Sequence, residues 1–186
     1  MERKRTAGAM AGAALAAAVV GEMLRRNGYS VSVRLQRLVK ADPKAIIELV
    51  SHVERETELI PSVRKVTILE TSPEAVRYRV DGSSPLGPWW SLYHKWWDYE
   101  ANSVGWASDK GSFGLRQRGQ LNLEPTPAGT EIILTSEYTS EWPVLGPAIA
   151  AAGRGLLVEP SFSAWLDNIA AALEGEGQAR EERAAD

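Results

Sequence analysis

The stretch VSVRLQRLVKADPKAIIELV, residues 31 to 50, changes its hydrophobic period half-way along, and that change governs how the rest of the chain reads. Val31, Val33, Leu35, Arg37 and Val39 alternate with Ser32, Arg34, Gln36 and Leu38, close to the period of two of a half-buried strand. Asp42-Pro43 ends that strand and opens a helix, with Asp at the N-cap and Pro in the first turn. Ile46, Ile47, Leu49, Val50 and Val53 supply the helix with an apolar side. Glu54-Arg55-Glu56 then leads to Leu59-Ile60 and Pro61, predicting a second short helix that stops at the proline.

Downstream, six strand-like stretches follow, each closed by turn chemistry. Val63 to Glu70 ends at Thr71-Ser72-Pro73-Glu74, and Ala75 to Asp81 ends at Gly82-Ser83-Ser84-Pro85-Leu86-Gly87-Pro88, read as a loop at the mouth of a cavity. Trp89 to Glu100 turns through Ala101-Asn102, and Ser103 to Ser108 runs into Asp109-Lys110-Gly111-Ser112. Leu115 to Glu124 turns at Pro125-Thr126-Pro127-Ala128-Gly129, and Thr130 to Thr139 closes the series. Short turns between consecutive strands mean antiparallel neighbours, because parallel pairing needs a crossover each time. After Trp142-Pro143 the period becomes helical through Val144, Leu145, Ile149, Leu156, Leu157, Phe162, Trp165, Leu166, Ile169 and Leu173, with a kink expected at Pro160.

One strand, two short helices, six strands and one long helix is an α+β order. It resembles the START-like superfamily, also called SRPBCC or helix-grip, which includes polyketide cyclases, birch-pollen-allergen-type proteins and coenzyme-Q-binding proteins. The residues that carry the resemblance are Lys40-Ala41-Asp42-Pro43, Leu59-Ile60-Pro61-Ser62-Val63 and Leu145-Gly146, within a span of residues 31 to 174. The resemblance implies a curved seven-stranded antiparallel sheet wrapped around a long C-terminal helix, with an apolar cavity between them. Three segments follow: 1–29, an Ala/Gly-rich apolar stretch; 30–174, the START-like ligand-binding domain; and 175–186, a charged tail expected to be disordered.

The first segment places Arg3, Lys4 and Arg5 before an apolar run and Arg25-Arg26 after it. Residues 6–24 approach the ~20 residues a bilayer crossing needs, but Glu22 and the high Ala/Gly content weaken that reading. Membrane association and a soluble Ala-rich helix both stay open. The basic residues on the domain side outnumber those before the run, so a spanning segment would leave the domain cytoplasmic.

With 186 residues, a net charge of −3 and 24% charged residues, the chain suits one ordinary globular domain and lacks the concentrated basic face that nucleic acid requires. Having no cysteine excludes disulfides, thiolate metal sites and a cysteine nucleophile. The two histidines, His52 and His94, offer no metal-ligand spacing, and no serine-hydrolase or phosphate-binding motif occurs. No cofactor is implied and the catalytic residues, if any, are unknown.

Strand alternation selects the cavity wall. Val66, Ile68, Val76, Tyr78 and Val80 share one face, with Arg77, Arg79 and Asp81 on the other. A two-residue turn at Ala101-Asn102 would pair Tyr99 with Val104 and Trp97 with Trp106, placing Tyr93, Lys95, Trp97, Tyr99 and Trp106 inward and His94, Trp96, Asp98 and Glu100 outward. Lys95 on that inner face requires a partner or a place at the mouth. Gln117, Leu121, Leu134, Ser136 and Tyr138 continue the wall, and Leu157, Phe162 and Trp165 are roof candidates. The expected ligand-binding set is therefore Tyr78, Tyr93, Trp97, Tyr99, Trp106, Leu121, Leu134, Tyr138, Leu157, Phe162 and Trp165. Seven tryptophans against two phenylalanines, most of them crowded onto two adjacent strands, suit an aromatic-walled site. The leading expectation is binding, transport or sequestration of a hydrophobic small molecule: a lipid, quinone or polyketide-like compound. The alternatives are an enzyme of the polyketide cyclase or aromatase type, and a protein- or membrane-interaction module working through exposed tryptophans.

Overall fold

A computed structural model describes residues 30–85, 87–140 and 158–185. Residues 6–24, Leu145-Gly146 and Leu157 lie outside the described residues. Among those described, no helix is long and apolar enough to cross a membrane.

The described residues open with β1 (Ser30–Val39), then α1 (Pro43–Ser51), a 3₁₀ turn (Val53–Arg55) and α2 (Glu56–Leu59). Six strands follow: β2 (Val63–Thr71), β3 (Ala75–Ser84), β4 (Gly87–Asp98), β5 (Ser103–Gly111), β6 (Leu115–Thr126) and β7 (Gly129–Ser140). The last described element is α3 (Glu159–Ala185). One curved antiparallel sheet has the order β1-β7-β6-β5-β4-β3-β2, so β2 to β7 form a meander and β1 returns to pair with its last strand. Asp42 caps α1 by accepting a bond from the Ala45 N–H at 2.8 Å, with Pro43 in the first turn where its missing N–H costs nothing. The α1–α2 pair thus spans the connection from one sheet edge to the other.

The main core joins Ile46, Ile47 and Val50 of α1, Val104 and Trp106 of β5, Leu121 of β6, Ile132 and Leu134 of β7, and Phe162, Trp165, Leu166 and Ile169 of α3. A smaller cluster, Val53, Val63, Val76, Tyr78 and Val80, sits where the 3₁₀ turn meets β2 and β3. Asn168 ties α3 to the helix pair by donating Nδ2–H to the Leu59 carbonyl at 2.9 Å.

Three details differ from the sequence reading. The β4–β5 turn has four residues rather than two, because Asp98 Oδ1 accepts from the Glu100 and Ala101 N–H groups and Asn102 adopts a φ of 48°. Trp97 therefore pairs with Val104 and Lys95 with Trp106, a slip of two that preserves every inward face but moves Tyr99 out of the strand. Residues 82–88 form no open loop: β3 and β4 stay paired up to Ser84 and Gly87, which carries a φ of 111°. The helical run expected upstream of Pro160, and with it the kink, falls on residues 144–157, outside those described; α3 is described from Glu159. The backbone of α3 stays helical past residue 174 to Ala185, in the segment expected to be disordered, where Ala, Glu and Arg are good helix formers.

Candidate functional site

The inner face of β3 to β7 and the facing side of α3 bring the aromatic side chains together. Trp106 can lie in the middle of this face because the residue opposite on β6 is Gly119: a Cβ there would collide with the indole and would sit 2.9 Å from the Thr135 carbonyl oxygen. Trp165 of α3 meets Trp106 edge-on at 5.6 Å between centroids, and Phe162 completes the cluster at 6.2 Å from Trp106 and 6.2 Å from Tyr138. These distances are those of favourable tilted and edge-to-face pairs. On the neighbouring strands Tyr78 stacks on Tyr93 at 5.7 Å.

Two polar groups interrupt this wall. At the first, Lys95 is only 2% exposed and its ammonium forms an ion pair with Glu56, itself 5% exposed. Lys95 also donates to the Val50 carbonyl at 3.2 Å, and Tyr78 Oη–H donates to Glu56 Oε1 at 2.7 Å. The ammonium lies 5.6 Å from the Tyr78 ring centroid and 6.0 Å from that of Trp165. Burial, with the Glu56 carboxylate beside it, pushes the Tyr78 phenol well above its ordinary value, so it remains a neutral donor at physiological pH.

At the second, Tyr93 Oη–H donates to Gln117 Oε1 at 2.6 Å, while Gln117 Nε2–H reaches Ser136 Oγ at 3.3 Å. Ser108 Oγ accepts from the Gln117 backbone N–H at 2.6 Å. Burial raises the Tyr93 and Tyr138 phenols. Together the two stations offer donors and acceptors to a bound molecule within an otherwise apolar wall. One buried group is left over: the Trp165 indole N–H has no hydrogen-bond partner among the described residues.

A shallow cleft of about 500 Å³ between Lys40–Pro43 and the β6–β7 turn shares no residue with these clusters and carries no comparable chemistry.

No protein-family model matches the chain, and no curated protein matches it significantly. Solved structures do. The Zhui aromatase/cyclase from a Streptomyces species superposes with a TM-score of 0.70 at 16% identity, over 78% of this chain and 94% of that one. A START superfamily protein from Mycobacterium smegmatis gives 0.59 at 20% identity, over 77% and 98%. Norcoclaurine synthase from Thalictrum flavum gives 0.58 at 14% identity, over 77% and 86%. This chain has the START-like, or SRPBCC, helix-grip fold.

Within this helix-grip domain the sequence-predicted residues separate clearly. Tyr78, Tyr93, Trp97, Trp106, Leu121, Leu134, Tyr138, Phe162 and Trp165 all belong to, or pack against, the buried clusters. Tyr99 is 44% exposed in the β4–β5 turn, away from them. Ile68, also expected inward, is 42% exposed on the edge strand β2. Outside, His94 and Trp96 lie side by side at 5.5 Å and Arg79 covers Trp90 at 5.0 Å. Sequence reasoning missed Glu56, because an acid in Glu54-Arg55-Glu56 on a short helix reads as part of a solvated face. The available signal was Lys95: an inward lysine demands a carboxylate.

Proposed function

We propose that the helix-grip domain binds a hydrophobic small molecule between the inner face of the sheet and α3. The observation that carries this reading is the aromatic wall of Trp106, Phe162, Trp165, Tyr138 and the Tyr78–Tyr93 stack, interrupted among the described residues by two hydrogen-bonded polar stations. A lipid, quinone or polyketide-like compound fits such a wall, with sequestration or transport as the activity. Likeness of fold to the Zhui aromatase/cyclase and to norcoclaurine synthase is compatible with it. Native mass spectrometry of the purified chain, followed by organic extraction, tests the proposal: a stoichiometric apolar ligand supports it. A protein that emerges empty and fails to bind a hydrophobic fluorophore sinks it.

A second reading, catalysis of the cyclase or aromatase type, is favoured by the buried Tyr78–Glu56–Lys95 arrangement, in which a neutral phenol donor and an ammonium line the same wall. Turnover of a polyketide-like substrate, lost in Tyr78→Phe without unfolding, would establish it. Membrane tethering through residues 6–24 is a separate proposal, and identical fractionation with and without residues 1–28 would end it. Contact with a protein or membrane through the outer face would centre on Trp96, 42% exposed; Trp96→Ala would then weaken partner binding and leave the inner face unchanged.

A further inference from the structure

Tryptophan is an expensive choice for the roof if packing is its only task. A buried indole N–H ordinarily finds an acceptor, and leaving one unmade costs free energy that a phenylalanine at the same place would avoid. Trp165 is 3% exposed and its Nε1–H has no acceptor among the described residues. Its ring is otherwise fully used: the Trp106 ring lies edge-on to it, Phe162 lies 6.0 Å away, and the Lys95 ammonium stands over it at 6.0 Å. The indole N–H and the ammonium can only donate, and Lys95 directs its bonds to Glu56 and Val50. The unmet need at this point of an aromatic wall is for an acceptor oxygen.

We infer that Trp165 Nε1–H is the recognition donor of the site, and that its ligand class is a planar aromatic molecule bearing a carbonyl oxygen. This rests on the proposal that the inner face binds a small molecule, and it narrows that proposal. An unsubstituted hydrocarbon or a fatty acyl tail would bury the same N–H and leave it unmade, so the site discriminates against both. The selectivity has the sense seen wherever a pocket is built around one hydrogen bond: the analogue lacking the oxygen is rejected.

The test uses 9-fluorenone and fluorene, two flat molecules that differ by the ketone. The full chain, labelled with nitrogen-15, is titrated with each while the indole N–H resonances of its seven tryptophans are followed. Trp165→Phe identifies the Trp165 resonance by its disappearance. A nuclear Overhauser contact to the Trp106 ring, centred 5.6 Å away, identifies it even if that variant does not fold. The expected result is a downfield movement of the Trp165 proton with fluorenone only. Fluorenone should bind about tenfold more tightly than fluorene, a preference that Trp165→Phe reduces to about twofold, one hydrogen bond's worth of discrimination. If both probes bind and the Trp165 resonance responds alike to the two, the donor role is refuted while the hydrophobic-ligand reading stands. If neither probe perturbs any indole resonance, the inner face is not a binding site for this class and the inference is overturned, while the broader hydrophobic-ligand reading is decided by the extraction experiment.

Discussion

Trp96 and Trp106 meet the same steric problem on opposite faces of one sheet. Each lies over a glycine of the next strand, Trp96 over Gly105 and Trp106 over Gly119, and in each case an added Cβ would run into the indole. Yet Trp106 is 4% exposed and Trp96 is 42% exposed. What differs is the third layer: α3 places Phe162 and Trp165 on Trp106, whereas among the described residues Trp96 has an aromatic neighbour only in His94. The charges divide in the same way. Lys95 and Glu56 are buried together inside, while Arg118 and Glu137 pair at 3.1 Å on a face where their side chains are 76% and 39% exposed. Identical local chemistry therefore carries different weight according to what covers it.

Four measurements would break or sharpen that contrast. Removing the ring inside should cost most: Trp106→Ala is expected to lower unfolding free energy by about 3–5 kcal/mol, whereas Trp96→Ala should change it by under about 1 kcal/mol. Equal losses in chemical denaturation would mean that the outer face is covered after all. Glu56→Ala strands a buried ammonium and should cost about 3–5 kcal/mol, against about 0.2–1 kcal/mol for Glu137→Ala. A thermal scan showing the two variants alike would make the inner pair dispensable. Gly119→Ala forces Trp106 against α3, an overpacking loss of about 1–3 kcal/mol; in Gly105→Ala the exposed Trp96 can swing into water, so its midpoint should move less. The order of the two denaturation midpoints decides the matter.

The smallest effect per step is alkaline. Tyr78, Tyr93 and Tyr138 are held above the ordinary tyrosine value of 10.0 chiefly by burial, so the folded state keeps protons that the unfolded chain releases. Their contribution is fully present below pH 10 and is lost as pH rises beyond it, by about 1.4 kcal/mol per pH unit for each tyrosine involved. Melting temperatures between pH 8 and 11 should fall beyond the upper part of that range, and Tyr138→Phe should flatten the decline. A flat wild-type profile would show that these phenols are wet.

Strand period carried most of the fold. The alternation at Val76, Tyr78 and Val80, and again at Tyr93, Lys95 and Trp97, assigned the inner face correctly, because one face of each strand is buried and the other is not. Register was less legible. The turn at 99–102 depends on Asp98 folding its carboxylate back onto two backbone N–H groups, and Asp beside Tyr-Glu-Ala does not announce that choice. Edge position was invisible too: Ile68 follows the inward pattern of β2, yet only β3 pairs with that strand and little covers it. Within the site, aromatic residues could be listed from one strand at a time, but Glu56 joins Tyr78 and Lys95 only through contacts 22 and 39 residues away in sequence. Spacing along the chain holds no record of such meetings.

The tryptophan–glycine pairs also shape how this chain can change over generations. Trp89 with Gly82, Trp96 with Gly105 and Trp106 with Gly119 each join a large ring to the one residue that leaves room for it. At Gly82 and Gly119 shrinking the ring would not free the position, because the Ser62 and Thr135 carbonyl oxygens would still lie 2.5 and 2.9 Å from a Cβ; at Gly105 the nearest atoms all belong to Trp96, so the ring can shrink first and the glycine widen afterwards. Of the three, the Trp96–Gly105 pair thus has a preferred order of replacement, while Gly82 and Gly119 stay fixed by backbone as well as by a ring and hold the strand register they occupy.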